Sequence, residues 1–318
     1  MRILAALLLL VACKVDGPHY TNIDGGDSID AADADGAIDA PIDASIDGAP
    51  PTPRCYEQIS SHVDHSCGLH GDGTITCWGE NGSGEASPPN GSYTAVSAGY
   101  THACALQEDG EVTCWGTNGE DESTPPVGTF EDISAGLFYT CGVRTGGALA
   151  CWGDSANLAV QNAPAGTFTM VRSAETFACG IRTSGAIACW GTDSNGVLSP
   201  PTTGTWVQVA VALGEGCARS TTGSVQCWGS GVVTAPPAGT YVDVSVGSAH
   251  GCALREDGSI ACWGSNTFGQ VNAPAGDFMT VSAGYSHNCA LLEAEDRIVC
   301  WGNSGQGRTA PPLSGGCE

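Results

Sequence analysis

The sequence predicts an all-β fold: a seven-bladed β-propeller of short three-stranded blades, one disulfide inside each, preceded by a disordered tether. Three observations predict it. A unit typified by "CALREDGSIACWG" at 252–264 recurs seven times, and repeats at this period mark stacked architectures. Each copy sets two cysteines symmetrically about a turn, where neighbouring strands bring them within bonding reach. Two further cysteines, Cys55 and Cys317, stand at the two ends of the repeat region, where a closed ring brings them together.

The copies open on an aromatic residue, Tyr56, Tyr93, Phe130, Phe168, Trp206, Tyr241 and Phe278, at intervals of 35 to 38 residues. A short strand such as "YTAVSAG" or "FMTVSAG" follows. Then come the cysteine hairpin, a Trp-Gly, and a polar loop rich in Gly, Asn and Ser that usually closes with Pro. The expected disulfides are Cys67–Cys77, Cys104–Cys114, Cys141–Cys151, Cys179–Cys189, Cys217–Cys227, Cys252–Cys262, Cys289–Cys300 and, across the ends, Cys55–Cys317.

In the first six hairpins a glycine stands six after the first cysteine: Gly73, Gly110, Gly147, Gly185, Gly223 and Gly258. That spacing fits a three-residue hairpin loop ending in a residue at positive φ. With Glu256-Asp257-Gly258 as the loop, Arg255 faces Ser259, Leu254 faces Ile260, and Cys252 faces Cys262. The seventh copy lacks the glycine and has one extra residue. A two-residue turn at Ala294-Glu295 still sets Cys289 opposite Cys300 and Leu291 opposite Ile298.

Alternation then assigns the faces. Cys252, Leu254, Ile260 and Cys262 share one side, while Ala253, Ala261 and Trp263 share the other. Both sides are apolar, so each small sheet is covered twice, as stacked blades are. The choice between an open stack and a ring falls to the end cysteines. "PPLSGGC" aligns with "PPTTGTW", which puts Cys317 where an eighth copy would begin and, in a ring of seven, beside Cys55. A short hairpin has little core of its own, and each bridge adds roughly 2–3 kcal/mol by restricting the unfolded chain.

Ahead of the repeats the text changes twice. "MRILAALLLLVAC" reads as a leader over 1–12: Arg2 supplies the positive end, and the apolar run is too short to span a bilayer. "LVAC" resembles a bacterial lipobox, which makes Cys13 the lipidated mature N-terminus. Lys14, where an Asp would retain the protein at the inner membrane, favours the outer membrane. Residues 13–54 follow as an acidic tether with nine Asp against Lys14 and Arg54, too polar to bury a core. The Asp33-x-Asp35-Gly36 fragment is not a calcium loop, because Ala31 and Ile42 would occupy the first and last ligand positions. The propeller then occupies 55–318. A net charge of −24 argues against nucleic acid as a partner.

The phrases "HGCALREDGSIACWGSNTFGQ" and "HNCALLEAEDRIVCWGNSGQG" resemble the regulator of chromosome condensation repeat family. The resemblance is carried by His250, Leu254, Asp257-Gly258, Trp263-Gly264, Asn266 and Gly269-Gln270, and covers residues 56 to 316. The compact repeat with "APAG" between copies is closest in style to short-repeat propellers of the β-lactamase inhibitor protein II type. The resemblance implies a seven-bladed propeller acting as a protein-binding platform. The paired cysteines depart from it, and the nuclear exchange-factor role does not carry over to an exported, acidic chain.

Candidate chemistry is sparse. His65, His102, His250 and His287 each stand two before a hairpin cysteine, with Tyr139, Phe177 and Glu215 in that slot elsewhere. Equivalent positions on neighbouring blades diverge, so a structural role bonding the local backbone outweighs zinc, and no metal or other cofactor is expected. The loops before these hairpins carry Tyr100, Leu137, Phe138, Tyr139, Phe177 and Tyr285 on one propeller face. Either they form a binding surface or they pack over the blade tips. Glu120-Asp121-Glu122 reads as a solvated loop. No metalloprotease, phosphate-loop or serine-elbow motif is present, and no catalytic residue is assigned. The expectation is a lipid-anchored, monomeric outer-membrane module binding a protein or glycan. A polysaccharide-acting propeller enzyme and an inhibitor of a secreted enzyme such as a β-lactamase are the alternatives.

Overall fold

The computed structural model describes residues 55–230, 236–293 and 296–312. The leader, Cys13, the Asp-rich segment, Cys317 and the seventh hairpin's turn at Ala294-Glu295 lie outside the described residues. Each repeat forms a three-stranded antiparallel sheet in chain order, and there are seven such sheets. The first strands are Gln58–Ser61, Tyr93–Ala98, Phe130–Ala135, Phe168–Ser173, Trp206–Ala212, Tyr241–Val246 and Phe278–Ala283. They lie innermost and together line a central channel. The arms of each cysteine hairpin are the middle and outer strands, as His250–Arg255 and Ile260–Gly264 are in the sixth blade.

The hairpin register is the one the cysteine spacing dictates. Leu254 pairs with Ile260 and Cys252 with Cys262; in the longer seventh copy Leu291 pairs with Ile298 and Cys289 with Cys300. The six loop glycines have φ between 76° and 89°, a left-handed conformation that strains any residue with a Cβ. Seven disulfides bridge the hairpins, with Cα atoms 4.0 to 4.1 Å apart, the close spacing of a non-hydrogen-bonded cross-strand pair. In the sixth blade Cys252 and Leu254 pack against Phe278, Val281 and Ala290 of the seventh. On the opposite side Ala253, Ala261 and Trp263 pack against Cys217 and Cys227 of the fifth. Each bridge is therefore core between blades as well as a staple within one.

Two further sets of bonds hold blade to blade. Trp115, Trp152, Trp190, Trp228 and Trp301 donate their indole N–H to the carbonyls of Glu85, Glu122, Ala159, Val197 and Gln270 at 2.8–3.0 Å. Each tryptophan thus pins the loop arriving from the preceding blade. Near the channel, Ser60, Ser97 and Ser245 accept from the backbone N–H groups of Ala98, Ala135 and Ala283, all at 2.9 Å. Both sets also cross the seam. Trp78 donates to the carbonyl of Arg308 at 3.1 Å, and Ser282 accepts from Ser61 N–H at 2.8 Å. Blades one and seven are neighbours, and the ring is closed. Cys55 is disulfide-bonded, while Cys317, the partner expected for it, lies outside the described residues.

The structure departs from the sequence reading at three points of local detail. A bulge follows the opening aromatic in blades two to seven, as between Tyr93 and Ala95. The third inter-blade loop contains a one-turn helix, Leu158–Gln161, capped by Asn157 Oδ1 on Ala159 N–H at 2.9 Å. Of the acidic run, Glu122 is not solvated. It is 0 % exposed, its carboxylate accepts Glu120 N–H at 2.8 Å, and its carbonyl holds Trp152. The correction has a general cause: this loop position is fixed by the next blade's tryptophan, so its side chain turns inward whatever its charge. Glu85 and Gln270 fill the same place and cap Ser83 and Phe268 in the same way.

Candidate binding face

In every blade the first strand runs up to one common face and turns there into the middle strand. The long inter-blade loops start on the same face, alongside these turns. Thr117, Asp154 and Thr192 donate their N–H groups to the carbonyls of Thr101, Phe138 and Thr176 at 2.8–2.9 Å. Neighbouring turns are also tied to one another. Tyr100 N–H bonds Gly136 O at 3.0 Å, Tyr285 N–H bonds His62 O at 3.0 Å, and Ser248 N–H bonds Tyr285 O at 3.2 Å. These turns are braced on two sides, which makes the surface rigid.

Of the aromatic candidates, Tyr100, Phe138 and Tyr285 lie on this surface. Phe138 and Tyr285 are 36 % and 41 % exposed, and the Tyr100 and Phe138 rings meet edge to face at 5.9 Å. Leu213 joins them at 40 % exposure. Tyr139 and Phe177 do not, which corrects the expectation for them: both are buried, and the Tyr139 hydroxyl donates to Phe177 O at 2.6 Å. They occupy the first position of the middle strand, which points between blades, whereas the turn residues before it point outward.

That same position holds the four histidines, and here too the bonding differs from expectation. They reach across to the next blade and not to local backbone. His102 Nε2 bonds Thr140 Oγ1 at 2.9 Å, His250 Nε2 bonds Asn288 Oδ1 at 2.8 Å, and His287 Nε2 bonds Ser66 Oγ at 3.1 Å. His65 is the exception, with neither ring nitrogen bonded. Two substitutions explain it. The next blade offers Ala103 where the others offer Thr, Asn or Ser. And the position before the turn, glycine in the other three, is His62. At Gly99, Gly247 and Gly284 an added Cβ would come within 2.3–2.7 Å of the histidine Cε1, so a side chain here displaces the ring. Burial drives the pKa of His65, His102 and His287 down to about 3. Among the described residues no group of three or more His, Cys, Asp or Glu is arranged to hold a metal ion.

Two cavities open along the axis. The channel proper, about 250 Å³, is lined by polar side chains of the inner strands. Asp132 in it accepts Val171 N–H at 2.7 Å and pairs with Arg172 at 2.9 Å. Asp243 accepts from Gln208 at 2.5 Å and from Thr280 at 2.9 Å. Its mouth on the turn face is different: Val63, Val211, Leu213 and Tyr285 form an apolar wall that also contains His62 and Glu175. The sequence reading missed both cavities. Alternation within the inner strands (Gln58 and Ser60, Asp132 and Ser134, Asp243 and Ser245) was the available signal for the channel. Nothing local singled out Glu175.

The comparisons agree with this architecture. Residues 58–85, 93–121, 241–270 and 280–308 match the family described as Regulator of chromosome condensation (RCC1) repeat. Four of the seven units, in blades one, two, six and seven, thus match this repeat family. The fold is similar to the CRINKLY WD40 ectodomain of the Arabidopsis thaliana receptor kinase ACR4. There the TM-score is 0.66 at 23 % identity, covering 78 % of this chain and 97 % of that one. The ectodomain of the Physcomitrella patens receptor kinase CR4 gives 0.66 at 22 %, covering 78 % and 73 %. Yeast RCC1 (Prp20), in a structure with Kap60 bound, gives 0.63 at 14 %, covering 76 % and 81 %. No curated protein matches the sequence.

Proposed function

We propose that this RCC1-repeat propeller is an exported interaction module that holds a protein or glycan partner on its turn face. In this reading residues 1–12 are a signal peptide and Cys13 carries lipid at an outer membrane. Residues 13–54 are the tether that sets the propeller, 55–318, away from the lipid surface. The leader and tether sequences support export, and seven disulfides suit an oxidising compartment. The printed descriptions of similar structures fit a binding role: yeast RCC1 (Prp20) is bound by Kap60, and the binding of Prp20p to Gsp1p and histones is described.

The observation that carries the reading is the set Tyr100, Phe138 and Tyr285, presented on turns locked by inter-blade backbone bonds, with Leu213 exposed on the same face. Rigid aromatic and aliphatic anchors of this kind dominate interface energy, since little entropy is lost when they are covered. The test is retention of partners from a cell-envelope extract on immobilised protein. The wild type and Arg144→Ala, changed on the far face, are expected to retain the same material. Phe138→Ala/Tyr285→Ala is expected to lose it. Equal retention by all three would overturn the assignment of the face.

A further inference from the structure

The mouth of the channel on the turn face is a shallow depression of about 60 Å³. That is well below the ~300–1,000 Å³ of small-molecule sites, a dent that takes the end of one projecting side chain and no more. Its apolar wall holds two polar groups without protein partners. Glu175 has no cation within ion-pair range among the described residues, and burial raises the pKa of its carboxyl group. His62 is held neutral by burial, its pKa lowered to about 4, and its Nδ1 atom is buried with no hydrogen-bond partner. The Glu175 carboxylate is thus an acceptor with no cation of its own among the described residues.

Glu175 is the one carboxylate in the mouth's own lining, and further carboxylates stand on the outer part of the turn face over blades one to four. Glu80, Glu120, Asp121, Asp154 and Asp193 lie on the inter-blade loops where these leave the turn face. The arginines near this end are already engaged, Arg308 with Asp64 and Arg172 with Asp132. Arg144, Arg182 and Arg255 stand at the opposite end of their sheets, 4.6–5.8 Å over the rings of Phe130, Phe168 and Tyr241.

We propose that this mouth receives a lysine or arginine side chain projecting from a protein partner. Its aliphatic stem lies along Val63, Val211, Leu213 and Tyr285, and its charge meets Glu175. The inference rests on the turn face being the binding surface and names the chemistry of what binds there. Long cationic side chains combine an apolar stem with a charged head, and the mouth offers the complement of both. A second copy of this chain is a poor occupant. The chain carries −24, its single lysine is Lys14, and its Asp-rich segment shares the sign of the face.

The test is selection of a phage-displayed random dodecapeptide library on immobilised full-length protein, with Glu175→Gln in parallel. Selected peptides are expected to share a Lys or Arg flanked by apolar residues. Their synthetic forms should bind Glu175→Gln at least tenfold more weakly, with affinity falling as salt rises. Glu175→Gln should unfold at the wild-type temperature or above, because it removes an uncompensated carboxylate. Peptides without a basic residue, peptides indifferent to Glu175→Gln, or no enrichment at all would overturn the proposal. If such peptides still lose binding to Phe138→Ala/Tyr285→Ala, the pocket occupant is wrong and the face stands. If they ignore that variant as well, both fail.

Discussion

Acid should weaken this fold well before its carboxylates protonate. His65, His102 and His287 are fully buried and keep their protons off until about pH 3 in the folded state, whereas the unfolded chain takes them up near pH 6.5. With folded pKa values below unfolded ones, their contribution is complete above pH 6.5 and is lost as pH falls from there towards 3. Each group is worth about 1.4 kcal/mol per pH unit inside that window, so the three together cost roughly 4 kcal/mol between pH 7.5 and 5.5. For a domain of this size that is a fall in Tm of roughly 8–16 °C. His62, lowered to about 4 by burial, adds a similar amount, and His250 acts in the same direction. Asp72 and Asp257, whose pKa values hydrogen bonds from Thr74 and Ser259 lower, act only below about pH 4. The assay is urea unfolding at the two pH values with disulfides intact. His65→Phe is the internal control, because Phe177 occupies the same slot in blade four behind Ala174. It should remove about a fifth to a quarter of the pH dependence, and the orphaned imidazole with it. A stability unchanged from pH 7.5 to 5.5, or a slope untouched by His65→Phe, would refute the argument.

Other outcomes follow from the same contacts. Thr140→Val strips His102 Nε2 of its partner and should cost about 1–3 kcal/mol, read as a fall of several degrees in Tm. Glu122→Gln should be tolerated within about 0.5 kcal/mol, since Gln270 caps its loop identically, while Glu122→Ala should cost about 1–3 kcal/mol. Removing one bridge by Cys252→Ala/Cys262→Ala should cost about 2–3 kcal/mol from loop entropy alone, and more from the gap left against Phe278 and Ala290. Calorimetry of each variant beside the wild type checks all three.

The hairpin was legible because two independent constraints coincide in it. Cysteine spacing fixes which residues face one another, and the loop glycine fixes how the chain turns, so Leu254 opposite Ile260 needed no tertiary knowledge. Ring closure was legible through Cys55 and the alignment of the last partial copy. What faces the next blade was not. The first middle-strand residue looks like a loop-edge position in the sequence, and only the stacked geometry shows that Tyr139, Phe177 and the histidines point between sheets. Glu122 was misread for the same reason: charge suggested water, but its backbone carbonyl is claimed by a tryptophan thirty residues on. The channel mouth escaped entirely, since Val63, Glu175, Leu213 and Tyr285 come from four blades and share no local pattern.

The closed ring is tested most directly by peptide mapping of the unreduced protein. Cleavage is predicted to yield seven pairs, each confined to one repeat and joining cysteines ten or eleven residues apart, together with one pair joining Cys55 to Cys317. A bridge between cysteines of different repeats, or Cys55 recovered as a free thiol, would contradict it.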